Sequence, residues 1–398
     1  MKVFDTSQKI YRNFAPAKTV GIYVCGITPY DAAHLGHIFT FMAYDLLQRR
    51  LESLGHIVNM VRNITDVDEP IYKKAAQLNI PYTELAAAET ASFQNVLKQL
   101  DFRPASNEPK ASEYIAEMAE AVGQLEGNGY AYRVDNDIYF DVARIPQFGE
   151  LSGFSPSLQL AFMKRRGGDP DRPGKRSPLD FLLWKSVSDP ADPAAWDSPV
   201  GRGRPGWHIE CSVMSSLILG TPFDLHGGGY DLIFPHHECE IAQAIGLGGS
   251  QPASFWMHVA PMQLYGEKMS KSLGNLVFAK DLLASHQSSV LRLALMNYHY
   301  QTGGEWQECY LHEARDLLGK FTASLNSANT KYVDELRTAL YQALDDNLDT
   351  PQVIHAMKHF VTDTPIAPAE AADKLDSPAP ASAATIESIY QLLGLHLQ

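Results

Sequence analysis

The chain has 398 residues, 45% hydrophobic and 20% charged, which is too apolar for a disordered chain and too long for one small module. At roughly 100–200 residues per domain it holds two or three folded units. Four cysteines (Cys25, Cys211, Cys239 and Cys309) exclude a disulfide scaffold; the N-terminal MKVFDTSQKIYRNF lacks the apolar core of a signal peptide, and no run approaches a membrane span, so a cytoplasmic protein is expected.

Acidic side chains outnumber basic ones, 46 to 33, and residues 281–398 carry fifteen acidic against seven basic. That segment is poorly suited to gripping a polyanion, because counterion release requires a basic face.

Taken in chain order, Thr19 to Cys25 (TVGIYVC) is a β-branched run ending at Gly26, the pattern of a buried strand entering a tight turn. From Leu35 to Leu54, apolar residues at three and four spacing (Phe39, Met42, Leu46, Leu47, Leu51, Leu54) predict a helix, with Gly55 as its terminator. His56 to Val61 reads as a second strand. Helices follow over Ile71–Leu78, Tyr82–Leu100 and Ser112–Glu126. A strand, a crossover helix and a second strand make the parallel α/β unit, whose ligands lie at the carboxyl ends of strands.

Residues 130–205 change character. Short apolar pieces (Ile138–Val142) precede the Gly/Pro/Asp/Arg-rich stretch Arg165–Pro178, read as an insertion or mobile loop, and Lys164, Arg165, Arg166, Arg172, Lys175 and Arg176 gather there. Parallel α/β character returns over Gly206–Gly229, with a helix from His236 to Ile245 and a strand from Phe255 to Ala260. From Ser289 the chain reads as helices, interrupted by a Pro/Ala/Asp-rich linker at Thr364–Ala384.

Three groups carry chemistry. His34-Leu35-Gly36-His37 opens the first long helix, where backbone N–H groups favour a phosphate and Gly36 permits close approach; alone it is better explained as two ordinary polar residues near a helix start. Lys268-Met269-Ser270-Lys271-Ser272 places two lysines three apart on a loop, suited to charge building on a pyrophosphate leaving group. In His226-Gly227-Gly228-Gly229-Tyr230-Asp231 the glycines admit a ligand and Asp231 accepts from ribose hydroxyls. Together and in this order, these motifs resemble the signatures of class I aminoacyl-tRNA synthetases. The resemblance implies a Rossmann-type α/β catalytic domain with an insertion, followed by a C-terminal helical domain: residues 1–128 and 206–284 as the catalytic halves, 129–205 as the insertion, and 285–398 as the helical domain.

Cys25 ends the first strand, Cys211 lies in GWHIEC, and His236 and Glu240 are four apart in FPHHECE, where Pro235 at the first helical position puts them on one face. Two sulfurs, an imidazole and a carboxylate suit Zn²⁺, which can also take a substrate thiolate. By spacing alone these residues are as well explained by core burial, and His237 and Cys239 compete for the ligand role; Cys309 is read as structural. The arrangement resembles the zinc site of cysteinyl-tRNA synthetases and their relatives. That family divides into synthetases and mycothiol cysteine ligases. The run Cys25-Gly26-Ile27-Thr28-Pro29, Pro70, the loop Arg166-Gly167-Gly168-Asp169-Pro170 and the run Gly201 to Trp207 (GRGRPGW) resemble the ligases, with Arg165 departing from an acidic residue in their pattern.

The resemblance implies L-cysteine, ATP with Mg²⁺, and glucosaminyl-inositol or a similar small amine as substrates, with no tRNA, no membrane and a monomeric enzyme. It assigns Cys25, Gly26, Ile27, Thr28, Thr40, Asn63, Ile64, Thr65, Trp207, Gly229, Tyr230, Asp231 and Met262 to the amino-acid and adenylate pocket. His34, His37, Lys268 and Lys271 become the catalytic set. Asp66, Asp68 and an adenylate phosphate oxygen remain open as acceptors of the amine proton.

Overall fold

The computed structural model describes residues 1–269, 273–363 and 381–396. A hairpin of β1 (Lys2–Asp5) and β2 (Ile10–Asn13) precedes β3 (Thr19–Ile27), α1 (Leu35–Ser53) and β4 (Ile57–Ile64). Helices α2 (Glu69–Leu78), α3 (Tyr82–Gln99) and α4 (Ile115–Gly127) lead to strands β5 (Ala131–Val134) and β6 (Asp137–Phe140). Then come α5 (Pro156–Arg165), β7 (Phe181–Ser186), β8 (Gly203–Pro205), α6 (Trp207–Leu219), β9 (Phe223–Gly229), α7 (Glu238–Gly246) and β10 (Ala253–Val259). The short strands β11 (Met262–Leu264) and β12 (Glu267–Lys268) precede α8 (Ala279–Leu283), α9 (Ser288–Leu295) and β13 (Gly304–Glu305). Helices α10 (Cys309–Ser327), α11 (Thr330–Asp345), α12 (Thr350–Asp363) and α13 (Ala383–Leu393) close the described chain.

Strands β10, β9, β3 and β4 form, in that order, one fully parallel sheet, so their carboxyl ends line a single edge. The fold is therefore α/β with a helical C-terminal part. One face of the sheet packs on α1 and the C-terminal helices and the other on α4, α6 and α7, giving two large apolar clusters. Helix α1 is buried along most of its length because it is wedged between the sheet and helices α11 and α13. It ends as the sequence predicts: Gly55 sits at φ +87°, and His56 N–H donates to Leu51 O at 3.1 Å.

Residues 131–205, where periodicity failed, hold an antiparallel meander, β5-β6-β7-β8. Its strands are three to six residues long, too short to print a clear alternation on the sequence. The Arg165–Pro178 stretch is held by ion pairs, Arg172 to Asp137 and Lys175 to Asp169 (3.1 Å) among them.

A buried charge network fastens the C-terminal helices to the catalytic half. Arg292 of α9, fully buried, pairs with Asp45 of α1 at 2.6 Å, and its other donors reach Leu393 O and Leu100 O, both at 3.1 Å. Asp45 also accepts from Arg49 Nε (2.9 Å) and Arg103 N–H (2.7 Å). Burial pushes the pKa of the Asp45 carboxyl up, but Arg292 and Arg49 outweigh it and hold the group below the usual carboxylate range.

Asp45→Asn strips the counter-charge from Arg292 and should cost about 3–5 kcal/mol of unfolding free energy in urea titrations. Asp316→Asn breaks only the exposed Lys320–Asp316 pair and should cost less than about 1 kcal/mol.

Candidate active site

The site gathers at the carboxyl ends of β3, β4 and β9. Gly26 N–H donates to Asn63 Oδ1 (2.9 Å) and Asn63 Nδ2 to Thr65 Oγ1 (3.0 Å), which ties the ends of β3 and β4 together; Thr28 bonds Asp68 across the same gap. Ile27 and Ile64 are buried beneath them.

His34 caps α1 through Nδ1, which accepts from Gly36 N–H at 3.1 Å, and its ring stacks on His37 with centroids 3.9 Å apart. The first-turn donors are spoken for: Leu35 N–H donates to Val277 O and His37 N–H to His34 O. A Cβ on Gly36 would lie 2.9 Å from the His34 ring. This glycine makes room for the cap, not for a phosphate, and the expected backbone anion site is replaced by the two imidazoles. Burial first, with His37 and Lys268 adding to it, pushes His34 down to about 3, and burial, against the opposing pull of Asp231, pushes His37 down to about 4, so both are neutral at physiological pH. His37 Nδ1 is buried with no hydrogen-bond partner among the described residues. The Thr40 hydroxyl is used within the helix, donating to Gly36 O at 3.0 Å.

The HGGG run also departs from expectation. A Cβ on Gly227 would lie 2.4 Å from the Tyr44 ring, and one on Gly228 would lie 2.8 Å from Leu232. Gly227 admits Tyr44, whose hydroxyl accepts from Gly228 N–H (2.6 Å) and donates to Met257 O (2.7 Å), and Gly228 admits Leu232. Beyond Gly229, Tyr230 is exposed, and Asp231 pairs with Lys268 (3.0 Å) and with Arg166. Burial raises the Asp231 pKa, but the two cations override it and hold the carboxylate ionised. Arg166, quoted in the sequence only as part of the RGGDP loop, thus reaches the site from the end of α5, while Arg165 stays exposed. Met262 is buried in the core beside α1, and Lys271 lies outside the described residues.

Cys25, Cys211, His236 and Glu240 converge, each buried, with one ligand atom from each within 4.8 Å of the others. Tetrahedral zinc with bonds of about 2.0–2.3 Å requires donors about 3.3–3.8 Å apart. The observed separations are 3.7 Å for Cys25 Sγ to Cys211 Sγ, 3.8 Å for Cys25 Sγ to Glu240 Oε1, and 3.1 Å for His236 Nε2 to Glu240 Oε1. Among the described residues His236 Nε2 makes no hydrogen bond, while its Nδ1 lies 2.9 Å from His208 Nδ1 and its ring stacks on Trp207. An imidazole oriented from behind, with its other nitrogen unpartnered, fits a metal ligand.

A second set, Cys25, His226, His237 and Glu240, overlaps the first: His237 Nε2 lies 3.3 Å from Cys25 Sγ, and His226 Nε2 lies 2.9 Å from Glu240 Oε2. Cys239 packs into the core and belongs to neither. Pro235 does not open the helix as predicted. Residues 233–237 form a wide turn with Phe234 extended, and α7 begins at Glu238, yet the turn still aims His236 at Glu240. Cys309 is exposed at the start of α10, which corrects its reading as a structural cysteine.

A parallel sheet with paired imidazoles and a lysine-bearing loop at its carboxyl edge is class I synthetase architecture. The structure resembles Mycobacterium tuberculosis methionyl-tRNA synthetase in complex with methionyl-adenylate (TM-score 0.61, 15% identity, 87% of this chain and 82% of that one). It also resembles a putative arginyl-tRNA synthetase from Campylobacter jejuni (TM-score 0.57, 12% identity, 94% and 89%). The profile of the tRNA synthetases class I (C) catalytic domain matches residues 12–316.

Two similar relatives are each named L-cysteine:1D-myo-inositol 2-amino-2-deoxy-alpha-D-glucopyranoside ligase. The one from Thermobifida fusca (strain YX) is 44% identical, covering 90% of this chain and 87% of its own; the one from Nocardia farcinica (strain IFM 10152) is 40% identical, covering 100% and 96%. The chain belongs to the class I (C) tRNA synthetase family, in the branch that contains these cysteine ligases.

Cys211→Ser should abolish bound zinc as read by elemental analysis, and Cys309→Ser should leave it unchanged. For His34 and His37 the folded pKa lies below the unfolded value of about 6.5, so their contribution is complete above that pH and is lost as pH falls toward 4. Urea midpoints should drop between pH 7 and pH 5, by up to roughly 1 kcal/mol per pH unit for each histidine, and His37→Asn should flatten the fall.

Proposed function

We propose that the chain is an ATP-dependent ligase that activates L-cysteine as cysteinyl-adenylate and transfers it to the amine of glucosaminyl-inositol. The observation that carries this reading is the donor set Cys25, Cys211, His236 and Glu240 at the strand ends where the neutral His34–His37 pair also sits. The names of relatives matching the chain over nearly its whole length support the acceptor.

Zinc held by Cys25, Cys211, His236 and Glu240 would favour a substrate thiolate over a hydroxyl, which selects cysteine against serine. Trp207, stacked on His236, and Thr28 and Thr65 at the strand ends border the cysteine. The cysteine carboxylate attacks the α-phosphorus of ATP, brought with its Mg²⁺, while His34 and His37, uncharged, donate N–H groups to phosphate oxygens. Lys268, parked on Asp231, together with Lys271, takes the charge of the departing pyrophosphate. Asp231, kept ionised by its two cations, accepts from the ribose hydroxyls.

In the second half-reaction the acceptor nitrogen bonds to the adenylate carbonyl carbon, the carbon–oxygen bond to phosphate breaks, and AMP leaves. Asp66 is a poor proton acceptor because both its oxygens are engaged by Ser112, at 2.9 and 2.6 Å. Asp68 and the adenylate phosphate are left for that role. The acidic C-terminal helices favour a small acceptor over tRNA. Four free cysteines suit the reducing cytoplasm, and among the described residues no helix is long and apolar enough to cross a membrane.

Purified protein supplied with ATP, cysteine and glucosaminyl-inositol should release AMP and form the amide; product formation only with tRNA would overturn the reading. Lys268→Ala should slow adenylate formation by two to three orders of magnitude in pyrophosphate exchange without changing zinc content, since one lost charge-stabilising donor costs about 3–4 kcal/mol in the transition state.

A further inference from the structure

Glu210 of α6, next to Cys211 in sequence, is wholly buried, and no ion pair or backbone donor reaches its carboxyl among the described residues. Its electrostatic neighbours are Asp68, Cys211 and Asp66, and the Thr65 hydroxyl is close enough to act on it as a donor. Asp66 is satisfied by Ser112, whereas Asp68 spends one oxygen on the cap of α2, accepting from Glu69 N–H at 2.8 Å, and meets Thr28. The hydroxyl of Tyr72, within electrostatic reach of both Glu210 and Asp68, is likewise buried and unpartnered. Of the nearby cations, Lys185 and Arg204 both bond Glu69 at 2.7 Å and Arg204 also bonds Asp192, while Lys73 acts on Asp68 from a distance without forming an ion pair with it.

Among the described residues the wholly buried Glu210 and the half-buried Asp68 thus meet at the end of β4 with no ion pair to either carboxyl, beside the strand end that carries Cys25. An isolated buried carboxylate is costly, and a second one close by makes it costlier unless a positive group completes the arrangement. A primary ammonium matches what is missing, offering one positive charge and three donors to two carboxylates and the hydroxyls around them.

We propose that Glu210 and Asp68, with Thr28, Thr65 and Tyr72, form a subsite for a substrate's primary ammonium group. The inference rests on the reading of the chain as a cysteine:amine ligase, whose two organic substrates each carry such a group: the α-ammonium of cysteine and the ammonium of the amino sugar.

The test is calorimetric binding to the zinc-loaded full chain, with wild type, Glu210→Gln and Asp68→Asn titrated with cysteine, with 3-mercaptopropionate and with glucosaminyl-inositol. Glu210→Gln keeps the side chain's shape and replaces a carboxyl that has no ion-pair partner among the described residues, so its zinc content and thermal midpoint should match or exceed wild type; Asp68→Asn gives an independent reading on a second residue.

If the subsite holds the α-ammonium, both variants bind cysteine at least tenfold more weakly and lose the wild-type preference for cysteine over 3-mercaptopropionate, which lacks the amine. If it holds the amino sugar, cysteine binding is unchanged and glucosaminyl-inositol binding falls at least tenfold. Unchanged affinity for both amines in both variants, or no binding of either amine to wild type, overturns the proposal. Cysteine-dependent pyrophosphate exchange by wild type tests the ligase reading separately; its absence would sink that reading, while the binding titrations still judge the subsite.

Discussion

A charged or metal-ligating atom taken out of water must find a partner, and this constraint organises the molecule. Asp45 and Arg292 meet it with each other, and that pairing joins the first helix of the sheet to the helices at the far end of the chain. Cys25, Cys211, His236 and Glu240 meet it only in part with one another; their spacing is that of donors around an ion. Asp231 meets it by taking two cations from different parts of the chain, Arg166 and Lys268. Glu210 meets it with no ion pair or backbone donor among the described residues. The first of these holds the fold together, and the others belong to the proposed site, where incomplete compensation would have a chemical use.

The parallel sheet determines where those groups collect. Because β10, β9, β3 and β4 all run the same way, each strand delivers its following loop to one edge, and residues as distant in sequence as Cys25, Thr65 and Asp231 become neighbours. Close packing keeps that edge in register: the Tyr44 hydroxyl bonds the backbone of both β9 and β10, and only glycine at 227 leaves room for its ring. The antiparallel meander and its loop add a contribution from outside the sheet, since Arg166 lies on the same carboxylate as Lys268. A change in the insertion is therefore felt at the nucleotide end of the site.

Specificity divides along the same lines. Selection of a thiol is a matter of donor softness and belongs to the sulfur-rich corner. Selection of an amine requires negative charge held ready, and the corner formed by Asp68 and Glu210 is its nearest source to the cysteine end. The C-terminal helices contribute stability through Arg292 and an acidic surface, and neither property recruits a polyanion.

The sequence alone determined the elements with strong periodicity and the motifs from which the candidate site is drawn. β3, α1, β4, α3 and β10 are legible because buried strands and amphipathic helices print their apolar period on the chain, and the histidine, lysine and cysteine motifs are legible because their chemistry demands those residue types. What the sequence leaves open is decided in three dimensions.

Spacing could not separate His236 from His237 and Cys239, and the wide turn before α7 broke the simple helical argument while preserving its result. Glycines that read as ligand cradles make room for His34 and Tyr44, because close approach is equally useful to a side chain. Arg166 is legible only as one cation of a basic stretch and loop motif, and Glu210 carries no local signal for its role. Their significance lies in which charges stand beside them after folding, and that depends on contacts between residues 65 positions apart for Arg166 and Asp231, and more than 140 apart for Glu210 and Asp68.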